Sequence, residues 1–236
     1  MTFTAASGLP GRARITAAPV AHFSPKPSRA GRWIGAASKG RFTGQMVIPD
    51  GASGRIVVSE SKLEILWKIY LLSLPEVETI VEQVEFEWHD GEKSRKKFFD
   101  IVIVLKNGKR VACEVKPEIR LQSGRVLAEL RMIADQVGGQ YDDVRVLTDR
   151  DLDRVAVHNA ETFFAMRAPD EDADAAAEAV AAAITGAVTV RGLSERIGLG
   201  ARGTRAIIRL LARRRLRLCR HERISLGSLV RRVEIV

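Results

Sequence analysis

The chain has 236 residues, 46% hydrophobic and 28% charged, with 19 Gly and 8 Pro, a composition that excludes collagen-like, wholly disordered and coiled-coil chains. Its net charge of +9 is unevenly spread: residues 1–55 carry +7, residues 56–190 carry −8 and residues 191–236 carry +10, which points to a core with basic, polyanion-facing extensions. Two cysteines, Cys113 and Cys219, cannot make a disulfide framework or a cysteine-rich zinc site, and no apolar run reaches the roughly 18 residues of a membrane span, so a soluble protein with no membrane partner is expected.

Residues 1–54 hold most of the Pro and Gly and are read as a flexible basic arm, with the segment around Trp33 docking locally. A transit peptide is the rival reading of this arm, but no secretory h-region is present. Order is expected from Arg55. Ile56–Val58 make a short strand. A helix then starts at Ser59 or Ser61 and runs to Leu74, with Leu63, Leu66, Tyr70 and Leu74 as its core stripe. Residues 80–88 alternate as a strand, 89–97 form a polar excursion, and 98–105 are an apolar strand interrupted by Asp100. Asn107-Gly108 signals a hairpin, and the returning strand 110–116 is closed by Pro117. A helix over 123–137, a strand over 144–147 and a helix over 151–166 complete an α/β domain at 55–167.

Beyond an acidic, Pro-containing stretch at 168–174, which marks a linker or a helix start, the order is helix (175–184), strand (188–190), helix (193–197), helix (204–215) and two strands (216–219, 224–226). That is a winged helix-turn-helix pattern for the second domain, 168–236. Its second helix carries Arg202, Arg205, Arg209 and Arg213 at three- and four-residue spacing, a basic stripe suited to the phosphates or major groove of double-stranded DNA. A solvated basic face is the plainer reading of the same spacing.

The chemistry concentrates in Asp100 and in Glu114-Val115-Lys116. An apolar strand does not normally carry an isolated carboxylate, because burying an unpaired charge is costly. Here two adjacent strands each bring an acid, and the period of two puts Glu114 and Lys116 on one face. Two carboxylates beside a lysine can hold a divalent metal and orient water for phosphodiester hydrolysis. Mg²⁺ suits such an all-oxygen site, with Mn²⁺ as a substitute. Glu64 supplies a third acid from the first helix, although Ser61-x-x-Glu64 is also a capping box that needs no metal. One geometric condition applies. A two-residue Asn107-Gly108 turn would pair Leu105 with Arg110 and place Asp100 on the face opposite Glu114. A working site therefore requires a bulge or a three-residue loop between 100 and 114.

The order helix Glu, strand Asp, strand Glu-x-Lys resembles the restriction-endonuclease-like nuclease superfamily. A closer resemblance is to TnsA-type transposon endonucleases, through Ser61-Lys62-Leu63-Glu64, Glu82-Gln83, Phe99-Asp100, Glu114-Val115-Lys116-Pro117 and Val146-Leu147-Thr148-Asp149. It covers roughly residues 55–155, and the trailing winged helix is similar to the TnsA arrangement. The resemblance implies a mixed sheet flanked by helices, with Glu64, Asp100 and Glu114 as metal ligands, Lys116 as the catalytic lysine and Gln83 in support. It also implies Mg²⁺-dependent cleavage of one DNA strand at transposon ends beside a transposase subunit, in a bacterial cytoplasm at the nucleoid. The rivals are an inactive DNA-binding adaptor and a stand-alone repair or restriction nuclease. A homo-oligomer is left open.

Overall fold

The computed structural model describes residues 24–34 and 42–234. Readings of the arm over 1–23 and 35–41 therefore lie outside the described residues. No helix among the described residues is long and apolar enough to cross a membrane.

The described residues form a mixed α/β fold with six α-helices. It opens on β1 (Gly44–Ile48) and β2 (Arg55–Ser59), an antiparallel pair in register from Gly44↔Ser59 to Ile48↔Arg55. The arm expected over 1–54 is thus corrected. Met46 and Ile48 turn toward the core, where Ile48 is fully buried, so five residues suffice for a strand. Residues 24–34 also dock. Lys26 bridges Arg55, with its N–H on Gly54 O at 2.9 Å and its carbonyl accepting from Ile56 N at 2.9 Å. The segment around Trp33 thus docks as expected, although the Trp33 side chain itself is 90% exposed.

Helix α1 (Lys62–Leu72) is started by Ser61, whose hydroxyl accepts from the Glu64 N–H. Its most buried face is Glu64, Trp67, Lys68 and Leu71 rather than the expected leucine stripe. Leu63, Leu66 and Tyr70 are only half-buried. The shift follows from two polar groups finding partners inside: Lys68 donates to Val58 O at 2.6 Å and to Ser59 Oγ at 2.8 Å, which satisfies an ammonium that could not otherwise be buried.

A four-stranded sheet has the order β3-β4-β5-β6, from β3 (Val77–His89), β4 (Ser94–Leu105), β5 (Arg110–Val115) and β6 (Asp143–Leu147). The first two pairings are antiparallel and β5–β6 is parallel. The crossover between them carries α2 (Arg125–Ala134). Helix α1 covers one face of the sheet over Ile80, Ile101, Ile103, Cys113 and Val115. Helix α2 covers the other over Phe86, Phe99, Val102 and Ala112.

Helix α3 (Arg154–Ala165) is capped by Asp153 and links the two halves, since Phe163 and the following Met166 pack on the carboxy-terminal core. That core comprises α4 (Glu171–Ala182), β7 (Ala187–Thr189), α5 (Val190–Ile197), α6 (Ala201–Ala212), β8 (Leu216–Leu218) and β9 (Leu229–Arg232). The three strands form an antiparallel sheet in the order β7-β9-β8. The last strand falls at 229–232 rather than 224–226. The chain between β8 and β9 is held elsewhere, by Asn159 of α3, which donates to Glu222 O and accepts from Ile224 N, both at 2.9 Å. The acidic stretch at 168–174, read as a linker or a helix start, is a helix start: Asp170 caps α4, and Glu171, Asp172 and Asp174 fill its first turn, where acids favour a helix.

Candidate active site

The loop between β4 and β5 sets the register on which the site depends. Leu105 N–H donates to Lys109 O at 2.8 Å and Gly108 N–H to Leu105 O at 2.9 Å, with Gly108 at φ +84°. The connection is therefore the three residues Lys106-Asn107-Gly108, closed by a left-handed glycine. Val104 opposes Arg110 and Ile101 opposes Cys113, a one-residue offset from a two-residue turn. Carried one step further, it sets Asp100 opposite Glu114.

A second irregularity acts on Asp100 itself. Between the pairs Glu82↔Ile101 and Val84↔Phe99 of β3 and β4, Gln83 and Asp100 are passed over. Gln83 has φ +50°, a left-handed conformation that costs a non-glycine residue on the order of 1 kcal/mol. The faces exchange here: Ile80 and Ile101 pack toward α1, whereas Phe86 and Phe99, at positions that strict alternation would put on the same side, pack toward α2. A coordinated bulge of this kind re-aims a side chain without changing the register on either side.

The ladder between β4 and β5 ends at Ile101, and Asp100 occupies the opening beyond it. Its Oδ2 accepts from Val115 N–H at 2.8 Å and lies 3.5 Å from Lys116 Nζ, while Gln83 Nε2 donates to Oδ1 at 3.2 Å. Glu114 Oε1 lies 2.6 Å from Lys116 Nζ. Lys116 thus stands between the two acids. Burial would lower its pKa, but the charges of Asp100 and Glu114 outweigh that and hold it above the ordinary lysine value.

Glu114 and Asp100 are both buried. Glu114 Oε2 accepts no well-formed hydrogen bond, although Lys97 Nζ approaches to 3.2 Å and also reaches Glu129 of α2 at 3.1 Å.

Glu64 is placed differently. Its carboxylate accepts from Ser61 Oγ at 2.9 Å and Glu60 N–H at 3.1 Å, with Lys68 Nζ 3.6 Å away. The cap and the buried carboxylate are therefore one device. Burial pushes the Glu64 carboxyl up; Lys68 opposes this, and the negative charge of Asp100 adds to it. Glu64 thus senses Asp100 electrostatically, but among the described residues no three His, Cys, Asp or Glu side chains converge as a metal-holding group.

For a divalent cation the donors that fit are the oxygens of Asp100 and Glu114. They are hard ligands, and one of them, Glu114 Oε2, is an orphaned buried acceptor. Glu64 is already committed to the start of α1. Lys97, Lys68 and Arg32 belong to the surroundings of this site and were not read from the sequence. Lys68 carried the one available signal, standing four residues after Glu64.

The arginine stripe of α6 is corrected. Arg209 is buried; its Nε donates to Asp174 Oδ1 at 2.6 Å and its Nη1 to Met166 O at 3.3 Å. Arg213 pairs with Asp174 at 3.2 Å, and Arg202 with Asp170 at 2.6 Å. The acidic start of α4 therefore buries Arg209 and pairs at the surface with Arg202 and Arg213, whose side chains stay 49% exposed. Arg205 is exposed and makes no ion pair among the described residues. Arg217, Arg220 and Arg223 are likewise exposed on β8 and the chain that follows it.

No protein-family model matches this chain, and no curated protein does.

Proposed function

We propose that the chain is a metal-dependent DNA endonuclease that hydrolyses phosphodiester bonds, with a restriction-endonuclease-like core and a winged helix behind it. The observation that carries this reading is the meeting of Asp100, Glu114 and Lys116 where the β4–β5 ladder ends. A regular hairpin with a two-residue turn would not produce it. Two acids are buried at a strand opening with a lysine between them, and the one structural bond they make to the backbone, Asp100 with Val115 N–H, does not call for the second acid or the lysine. A fold seeking only stability gains little from buried charges.

In this reading Asp100 and Glu114 hold Mg²⁺, which when bound makes attacking water more acidic and offsets phosphate charge. Lys116, which lies between the two acids, would orient or activate the attacking water and stabilise developing negative charge. Gln83 fixes the Asp100 carboxylate through Oδ1. Glu64 keeps its side chain on the start of α1 and acts on the site through charge.

The order α4-β7-α5-α6-β8-β9 supports reading this half as a winged helix-turn-helix. Duplex DNA would be met by Arg205 of α6 and by Arg217, Arg220 and Arg223, not by the buried Arg209. Cleavage of one strand at transposon ends, beside a transposase subunit, is the specific form that the resemblance of residues 55–155 suggests.

A second reading, a DNA-binding adaptor without catalysis, is favoured by one observation: Lys97 and Lys116 already balance the two acids. Calorimetric titration of Mn²⁺ into the wild type and Asp100→Asn, with duplex DNA present, separates the two. Binding that disappears in the variant supports the nuclease. No binding to well-folded wild type leaves the adaptor.

A further inference from the structure

Residues 26–32 lie as a strap across the bulge that aims Asp100. Its two ends are anchored differently. At one end Lys26 and Arg29 pair with Asp50 at 2.7 and 3.2 Å. In the middle Ser28 Oγ donates to Glu82, which also holds the buried Arg55 at 2.9 Å. At the far end Gly31 N–H donates to Gln83 O at 2.8 Å, so the strap receives the carbonyl that the left-handed Gln83 turns outward. A Cβ on Gly31 would stand 2.9 Å from that oxygen; only glycine permits the approach.

The next residue reaches the site. Arg32 Nε donates to Gln83 Oε1 at 2.7 Å, its Nη2 pairs with Glu60, and its guanidinium lies 5.3 Å from the centre of the Phe98 ring. The Gln83 amide is thereby determined from both ends. A guanidinium only donates, so Oε1 must face Arg32; an ionised carboxylate only accepts, so Nε2 must face Asp100. With Arg32 absent, nothing on that side opposes the flipped amide, which would set an oxygen against the Asp100 carboxylate.

We propose that Arg32 is a positioning residue of the nuclease site: through the Gln83 amide it fixes the Asp100 carboxylate for the metal, and the strap is the element that delivers it. This inference rests on the metal-site reading above. Partners that orient a metal ligand in this way typically change affinity by about 10- to 100-fold when removed.

The test uses the full chain. Arg32→Met keeps a stem over Phe98 and removes both donors; Arg29→Met loosens the strap at Asp50 without touching Gln83. Mn²⁺ affinity by calorimetry is expected to fall about 10-fold in Arg32→Met, to stay at the wild-type value in Arg29→Met, and to recover in part in Arg32→Lys, which returns an N–H donor. In ¹⁵N-glutamine-labelled protein, the Gln83 side-chain amide is protected from exchange in the wild type and exposed in Arg32→Met, with or without metal. An Arg32→Met protein that binds Mn²⁺ like the wild type overturns the inference and leaves the metal reading standing. Equal losses in Arg29→Met and Arg32→Met overturn it too, by making the strap merely structural. Wild type that binds no Mn²⁺ overturns both.

Discussion

Asp174→Ala strips the buried Arg209 guanidinium of the carboxylate that holds its Nε at 2.6 Å and its Nη2 at 2.5 Å. What remains is Met166 O, 3.3 Å from Nη1, around a residue that is 4% exposed. Removing one partner of a buried ion pair typically costs about 3–5 kcal/mol, because the other charge stays desolvated. The Asp174 side chain is 14% exposed, so water can reach part of the space it leaves. The lower end, about 3 kcal/mol, is expected. Removing both partners, in Arg209→Met with Asp174→Ala, should restore most of that loss, since no buried charge is then left unpaired and Arg213, the other partner of Asp174, is 49% exposed. Urea unfolding followed by far-ultraviolet circular dichroism measures both, and amide exchange in α6 locates the effect. A loss under about 1 kcal/mol in the single variant, or a double variant no more stable than Asp174→Ala, would refute the reasoning. The same double variant should bind duplex DNA like the wild type, whereas Arg205→Ala should lower the salt slope of binding by about 1.

Three further outcomes are expected. Burial pushes the Cys113 thiol up to about 12, so at pH 8 iodoacetamide should label exposed Cys219 and spare Cys113, read by mass spectrometry of the folded protein; labelling of both at equal rates would contradict the burial. The Arg202 hydrogen bond holds the Asp170 carboxyl down at about 2, against an ordinary 3.8. Its contribution is therefore complete above that ordinary value and lost as pH falls toward the folded value. Acid unfolding of α4–α6 should steepen across that window and flatten there in Asp170→Asn; identical acid profiles would oppose this. Gly108→Ala forces a side chain into φ +84° and should cost about 1–2 kcal/mol in urea unfolding; no loss would mean that the loop is not the left-handed three-residue connection described.

Much of the order of elements is legible in the sequence because each carries its own local signal: Ser61 before α1, the apolar run of β4, Asn107-Gly108 and Pro117 around β5. The pairing of Asp100 with Glu114 is legible only as a condition. Asn107-Gly108 permits both a two- and a three-residue loop, and the choice is made by the flanking strands. Strand β1 escapes notice because it lies in the Pro- and Gly-rich stretch and is defined by its pairing with β2. The buried face of α1 is misread because Glu64 and Lys68 count as polar until Ser59, Ser61 and Val58 are seen to satisfy them. The α6 arginines show the converse. A basic stripe at helical spacing looks the same whether it faces phosphates or another helix, and the deciding signal, Asp170 at the cap and Asp172 and Asp174 in the first turn of α4, reads only as a linker or a helix start when taken alone. Arg32 has no sequence signal at all, since its role depends on the left-handed Gln83 fifty-one residues away.

The central claim is that Asp100 and Glu114 are metal ligands. Anomalous diffraction at the manganese edge, from crystals of the protein grown with Mn²⁺, tests it most directly. The expected result is a peak contacted by carboxylate oxygens of both Asp100 and Glu114, with Lys116 Nζ moved from its place between them. Well-ordered crystals with no peak at these residues, and with Lys116 still bridging the two acids, would contradict it.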